Sequence, residues 1–306
     1  MEPDLERQAQ VKIAVILACH NRRALTVQAV EAVIAAADSA GVRVDFTIFD
    51  DGSTDGTEAA LREIDASLAV LSGDGKAFWA RSMAAAEKEV LDRARAASEP
   101  PDWILWLNDD VVVDKGAFAT FLDSAELVPD AVFVGAMRDP ESGDLTYSGL
   151  VRSGWHPLRF TAVVPEHVTK AIDSFNGNLV FVPRAVAFRI GGIDGEFSHA
   201  LADIDYGLRC KRLGIRLLLL PSSCGTCPRN PPDPDDGLGR KWKRFVGIKG
   251  GGNCQSLSRI LKKGSPKTWP LYVSVTYVMW WIRNSRNKQQ VSSSRSRTGR
   301  GGSQHG

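Results

Sequence analysis

Four short polar motifs each follow directly on an apolar run of strand length, and this placement constrains the fold more than any other feature of the chain. Val11 to Ala18 empties into CHNRR, Val42 to Phe49 into DDGSTDGT, Leu68 to Leu71 into GDGK, and Trp103 to Leu107 into Asn108-Asp109-Asp110. Short, β-branched-rich apolar runs bounded by turn residues read as buried strands. Between them, Leu25 to Ala37, Thr57 to Ile64 and Phe78 to Ala97 read as helices, rich in Ala and in charged helix formers. The alternation predicts an α/β fold: a Rossmann-like, mostly parallel central sheet with right-handed crossovers and helices on both faces. Ligands of such sheets sit beyond the carboxyl ends of the strands, so the four motifs are expected to gather along one edge.

Beyond residue 130 the pattern turns to mixed strands and loops. Asn178 to Val182 and Arg216 to Leu220 read as strands, and IDYGLRCKRLG carries Ile204, Leu208 and Leu213 at helical spacing, with Gly214 as a C-terminal stop. The expected organisation is a tail over 1–10, a catalytic α/β domain over 11–230, a loop or linker over 231–255, a basic aromatic helical segment over 256–283 and a disordered basic tail over 284–306. No internal repeat is visible. At 43% hydrophobic and 24% charged residues, collagen, coiled coil and whole-chain disorder are excluded. Five scattered cysteines form no disulfide framework, and MEPDLERQ lacks the features of a signal peptide, so a reducing cytoplasm is the expected compartment.

The net charge of +2 conceals a division of labour. From Gly237 onward there are fifteen Lys and Arg and no Asp or Glu, which leaves about −13 over residues 1–236. An acidic body with a basic C-terminal region points to chemistry in the first and attraction to an anionic surface in the second. PLYVSVTYVMWWIR, with Trp269 just before it, is too short to cross a bilayer, for which about twenty apolar residues are needed. Its aromatics and basic flanks suit a membrane interface; a helix packed on the body or a dimer contact is the alternative. The tail carries no aromatics beyond residue 281 to stack on bases, so nucleic acid is not the expected partner.

Several acids need partners. Asp50 and Asp51 repel one another at a strand end, and the N–H and O–H donors of a base or ribose would satisfy them. Asp55 with Glu58 three residues on is a capping-box pattern. Asp109 and Asp110, between WILWL and VVV, are hard oxygen ligands of the kind Mg²⁺ or Mn²⁺ shares with substrate phosphates; the alternative is a solvated turn. GDGK is equally credible as a plain turn. Asp203 stands at the start of a helix, where either capping or general-base chemistry is open to it. Cys224 and Cys227 form one CxxC with no second pair, which argues against structural zinc.

Read in order, ILACHNRR, FDDGSTDGT, GDGKAFWARSM, WLNDDV, FNGNLVFVPR, GGIDGEF and ADIDYGLRCKRLG resemble the successive motifs of the family 2 glycosyltransferases, over roughly residues 11–227. The resemblance is nearest to bacterial enzymes that add rhamnose or galactofuranose to surface polysaccharides. It implies a GT-A fold that binds a nucleotide sugar, UDP-, dTDP- or GDP-linked, and with a divalent metal, Mg²⁺ or Mn²⁺, transfers the sugar with inversion to a glycan or lipid-linked acceptor. By position in the motifs, Ala18, Asn21, Asp50, Asp51 and Asp109 are expected to bind the donor nucleotide and Asp110 the metal. Asp203 is the expected catalytic base, and Trp79, Arg81, Asn176 and Asn178 line the donor and acceptor pocket. Asn108 stands where the family has its first acid, and PSSCGTCPRN lacks the His that often completes the metal site, leaving Cys227 or a water in its place. The implied location is the cytoplasmic face of the membrane. Two other readings are a nucleotidyltransferase that makes the activated sugar and an inactive nucleotide-binding scaffold.

Overall fold

The computed structural model describes residues 10–229 and 237–298, with side chains to 285, and divides into two compact units, Met1–Pro231 and Pro232–Gly306. The first unit opens as the sequence pattern predicts, with β1 (Lys12–Cys19), α1 (Arg23–Ser39), β2 (Arg43–Asp50), α2 (Thr57–Ile64), β3 (Ala69–Ser72), α3 (Phe78–Ala96) and β4 (Trp103–Asn108). These four strands are parallel neighbours, and the register puts Cys19 beside Asp50 and Ala18 beside Asn108. The polar motifs therefore leave the sheet at one level.

The second half of this unit is more irregular. It contributes β5 (Val112–Val113), α4 (Ala117–Leu127), β6 (Val132–Arg138), β7 (Leu145–Tyr147), β8 (Gly149–Arg152), β9 (Phe160–Ala162), β10 (Lys170–Ala171), β11 (Ser174–Phe175), β12 (Leu179–Pro183), α5 (Arg184–Ile190), α6 (Ala202–Arg212) and β13 (Leu217–Thr226). The main sheet runs β10-β13-β6-β12-β4-β1-β2-β3, with β5 on β13 and β7 on β6; β11-β8-β9 form a smaller sheet. β12 lies antiparallel to both β4 and β6. That reversal sets the start of β12, and the NGN turn before it, at the same edge as the end of β4.

Alternation along the strands builds two cores. Val15 and Leu17 of β1, Phe46 and Ile48 of β2, and Leu105 and Leu107 of β4 share one buried cluster with Val30 and Val33 of α1 and Phe118 and Phe121 of α4. Phe121 stacks on Phe181 of β12 at 3.9 Å. On the opposite face Trp106 packs edge-on against Trp79 of α3, Phe175 of β11 and Tyr206 of α6. Each of these large side chains contributes roughly 1.5–3 kcal/mol by leaving water, so both helical layers hold the sheet edge rigidly.

The second unit contains α7 (Leu238–Val246), α8 (Cys254–Gly264) and α9 (Trp269–Thr298). Helix α7 falls inside the stretch expected to be a loop over 231–255. Its reason is aromatic packing: Trp242 and Phe245, on one helical face, meet Trp280 at 5.1 and 5.4 Å, and Trp242 also meets Tyr277 and Trp281. The expected disordered tail over 284–306 likewise begins as helix, since α9 runs to Thr298 through a segment free of Gly and Pro. Asn253 caps α8 by accepting from the Ser256 N–H at 3.2 Å. Among the described residues no helix is long and apolar enough to cross a membrane.

Candidate active site

The acids that end β2 are satisfied by backbone. Asp50 Oδ1 accepts from the Ser53 N–H at 2.9 Å. Asp51 accepts three N–H groups, from Gly75 at 3.0 Å and Ala77 at 3.2 Å on Oδ1 and from Phe78 at 2.9 Å on Oδ2. Asp51 thus fastens the GDGK loop and the start of α3 to the strand edge. Gly73 is obligatory there, because a Cβ on it would lie 2.5 Å from Asp51 Oδ1.

The CHNRR loop closes over the same acids. His20 Nδ1 lies 2.6 Å from the Asp51 carbonyl oxygen. Asn21, left-handed at φ 51, accepts from the Thr54 N–H at 2.8 Å and donates its own backbone N–H to Ser53 Oγ at 2.8 Å. Asp55 forms no capping box: its carboxylate accepts from the N–H groups of Thr57 and Arg23 and so ties the starts of α2 and α1 together, while Glu58 pairs with Arg62. The reason is tertiary, since the start of α1 arrives only through the fold.

The acids that end β4 are satisfied by a side chain. Arg22 Nη1 donates to Asp109 Oδ1 at 2.9 Å and to Asp110 Oδ2 at 3.1 Å. Burial pushes Asp109 up to about 6, with Arg22 opposing and Asp110 adding to the rise. The other oxygen of Asp110 accepts from the Cys227 thiol at 3.5 Å, and Asn178 Nδ2 donates to that sulfur at 3.4 Å. Burial, then Asp110, drives the Cys227 pKa upward, so the sulfur is a neutral thiol and a poor ligand for a hard cation. Asn178 is buried, and this bond ties it to Cys227 beside the acid pair.

Asn108 has a structural task of its own: its side-chain oxygen accepts from the Trp79 indole N–H at 2.8 Å. The Trp79 ring lies against Gly177, where a Cβ would come within 2.9 Å of Cζ2 and 3.4 Å of the Asp203 Cβ. The Gly177 N–H donates to Asp203 Oδ2 at 3.1 Å, and Oδ1 accepts from the Ile204 N–H at 2.8 Å. Burial raises the Asp203 pKa above the ordinary carboxylate value, against the pull of those two N–H groups. A chain of contacts therefore runs from Asn108, the residue before the acid pair, through Trp79 and Gly177 to Asp203.

Two bulky residues flank this chain with left-handed backbones, Phe78 at φ 54 and Leu201 at φ 77. Conformations of this kind cost of order 1–3 kcal/mol and persist where the surroundings enforce them, often at functional sites. One immediately precedes Trp79 and the other lies two residues before Asp203. Between them His199 Nδ1 accepts from the Trp79 N–H at 3.4 Å. Ala18 and Asn176 are half-buried at the same edge. Arg81 is exposed on α3 and, among the described residues, makes no ion pair. Sequence reasoning did not single out Arg22, Gly177 or Leu201. The arginine was readable as part of CHNRR, but its partners come from β4.

The carboxylates that end β2 and β4, the Trp79 ring and Asp203 gather at the carboxyl edge of the sheet, where ligands of such folds bind. The profile described as Glycosyl transferase family 2 matches residues 14–166, half of the chain, and the protein belongs to that family. Two curated relatives, N-acetylglucosaminyl-diphospho-decaprenol L-rhamnosyltransferases of Mycobacterium tuberculosis strains CDC 1551 / Oshkosh and ATCC 25618 / H37Rv, are each 25% identical over 199 residues. The match covers 59% of this chain and spans 65% of the relatives' own length. Among solved structures, GalNAc-T7 with UDP, GalNAc and Mn²⁺ aligns with a TM-score of 0.59 at 11% identity, over 83% of this chain and 48% of that one. The mannosyltransferase PcManGT of Pyrobaculum calidifontis, with GDP-Man and Mn²⁺, aligns at 0.54 and 15% identity over 97% and 77%. S. aureus TarS 1–349 aligns at 0.51 and 14% identity over 89% and 78%. These likenesses establish the GT-A fold.

Proposed function

We propose that this protein is an inverting glycosyltransferase that moves a sugar from a nucleotide donor to a hydroxyl of a lipid-linked glycan in surface polysaccharide synthesis. The observation that carries the reading is the contact chain Asn108, Trp79, Gly177, Asp203, which joins the strand end that carries Asp109 and Asp110 to a part-buried carboxylate of raised pKa. Asp50 and Asn21 face the nucleoside, Asp51 holds the loop around it, and Asp109 and Asp110 lie on the diphosphate side. Trp79 forms the wall between donor and acceptor, with Asn176 and Arg81 at its rim.

In the reaction the bond from the anomeric carbon to the diphosphate oxygen breaks as the acceptor oxygen bonds to that carbon from the opposite face. Asp203 takes the hydroxyl proton, and the nucleoside diphosphate leaves with the electron pair. A raised pKa suits this role, because a stronger base is better matched to a hydroxyl proton. Among the described residues no three His, Cys, Asp or Glu side chains are grouped to hold a metal. Mg²⁺-like cations nonetheless bind through one or two carboxylates plus substrate phosphates, and Asp110 with Asp109 fits that mode. A cation held there would supply charge neutralisation for the departing diphosphate.

The relatives' name points to L-rhamnose and a diphospho-polyprenol acceptor as the first pair to test. The second unit supports a membrane-surface location. Leu271, Val278 and Ile282 are 60%, 56% and 41% exposed and share one face of α9, in a region whose charged residues are all Lys or Arg. Purified protein screened against UDP-, dTDP- and GDP-sugars with Mg²⁺ or Mn²⁺ should release nucleoside diphosphate with one of them. Asp203→Asn should abolish transfer and leave donor binding within a few-fold. Full turnover by that variant, or release of pyrophosphate in place of nucleoside diphosphate, would discard the assignment.

A further inference from the structure

The acid pair that ends β4 already has a cation. One nitrogen of Arg22 bridges Asp109 and Asp110, whose side chains are 12% and 20% exposed, while Arg22 itself is 46% exposed. Its backbone is anchored: the Arg22 carbonyl accepts both the N–H and the hydroxyl of Thr26 at 2.9 Å, and the preceding Asn21 is pinned by Ser53 and Thr54. The guanidinium is thus delivered from a fixed point on a half-exposed stem.

Charge arithmetic says what this does. The pair alone carries two negative charges and the triad with Arg22 carries one, so a divalent ion entering the triad leaves a net positive cluster in which Arg22 and the ion repel each other. A nucleoside diphosphate restores the balance, and a guanidinium exchanges readily between carboxylate and phosphate because its N–H fork fits both. We propose that Arg22 is the resident cation of the acid pair, excluding free divalent metal until a nucleoside diphosphate arrives and then shifting to its phosphates. Metal and donor would consequently bind as a unit. The proposal rests on the nucleotide-sugar reading for the identity of the anion, but not for the competition between Arg22 and metal.

The test is Mn²⁺ binding to the full chain, followed by the paramagnetic resonance signal of free Mn²⁺, with and without UDP, dTDP or GDP. Wild type should bind Mn²⁺ alone weakly and at least tenfold more tightly with one nucleotide. Arg22→Met should bind Mn²⁺ alone at least tenfold more tightly than wild type and lose most of the nucleotide dependence. Arg22→Lys, which keeps the charge, should stay close to wild type in the absence of nucleotide and serves as the folded control if the Met variant is unstable; Lys binding Mn²⁺ as tightly as Met would overturn the charge argument. Equal Mn²⁺ affinity in folded wild type and Arg22→Met overturns the inference even if sugar transfer is intact. Tightening in Arg22→Met, with no response of wild type to any nucleotide, supports Arg22 as resident cation and counts instead against the nucleotide-sugar reading.

Discussion

Asp50-Asp51 and Asp109-Asp110 are the same dipeptide, placed at the ends of two strands that flank β1, and the protein satisfies them by opposite means. The first pair is held by backbone N–H groups of Ser53, Gly75, Ala77 and Phe78. The second is held by the side chain of Arg22 and the thiol of Cys227. Backbone donors cannot leave without unfolding the loop, whereas a half-exposed guanidinium can rotate away. One pair is therefore fixed in place by the fold, and the other is held by a side chain that is free to turn.

The largest expected effect separates these roles directly. Asp51→Ala would strand three N–H groups around a residue only 5% exposed, at a cost of about 3–5 kcal/mol. Asp110→Ala should cost less than about 1 kcal/mol, because its partner Arg22 is open to solvent. Urea unfolding of both variants checks this, and equal losses would erase the distinction.

Glu87 sharpens the comparison as a carboxyl with far fewer donors. It is fully buried in α3, one oxygen accepts from the Ile193 N–H and the other has no partner among the described residues. Burial, opposed by that N–H and by Arg209, pushes it up to about 7 from 4.5. Below pH 4.5 the carboxyl is protonated in both states. From there to about pH 7 the unfolded chain gives up its proton first, so stability falls, by about 3 kcal/mol in all. Glu87→Gln should remove that part of the pH dependence; parallel stability curves for wild type and variant between pH 4.5 and 8 would contradict the burial account.

Gly177→Ala tests the contact chain between the second pair and Asp203. Its Cβ would press on the Trp79 ring, and the resulting misplacement should lower kcat/KM ten- to a hundredfold while KM for the donor changes less. An unaltered rate would mean that Trp79 does not position the reacting groups. The smallest effect is expected of Asn108→Asp, which can still accept from Trp79 but adds a charge beside Asp109. Metal affinity should rise several-fold with stability changed by under about 1 kcal/mol; weaker Mn²⁺ binding would show that the amide is needed as it stands.

Local pattern read the first half of the fold well for a physical reason. Thr57–Ile64 is helical over the expected residues, and β1 to β4 differ from expectation by about one residue at their ends, because parallel strands buried on both faces write themselves as continuous apolar runs. Helices α4 and α5 went unforeseen, although Phe118, Phe121 and Val186 lie on their buried faces. The reversed β12 was equally invisible, since strand direction leaves no mark on periodicity. In the second unit, α7 has no fully buried residue and becomes helical by aromatic contact with α9, a partner about forty residues away.

The candidate site shows the same division. That Asp50, Asp51, Asp109, Asp110 and Asp203 matter was legible from their position at strand and helix ends, because carboxylates in apolar surroundings demand partners. Which partner each one found was decided only in three dimensions: the amides of Gly75, Ala77 and Phe78 for Asp51, Arg22 for Asp109 and Asp110, the Gly177 N–H for Asp203. Sequence determines which groups must be satisfied, since hydrophobic runs and turn residues are local properties. Tertiary structure determines who satisfies them, since hydrogen bonds and ion pairs act over a few ångströms between residues that the chain holds far apart.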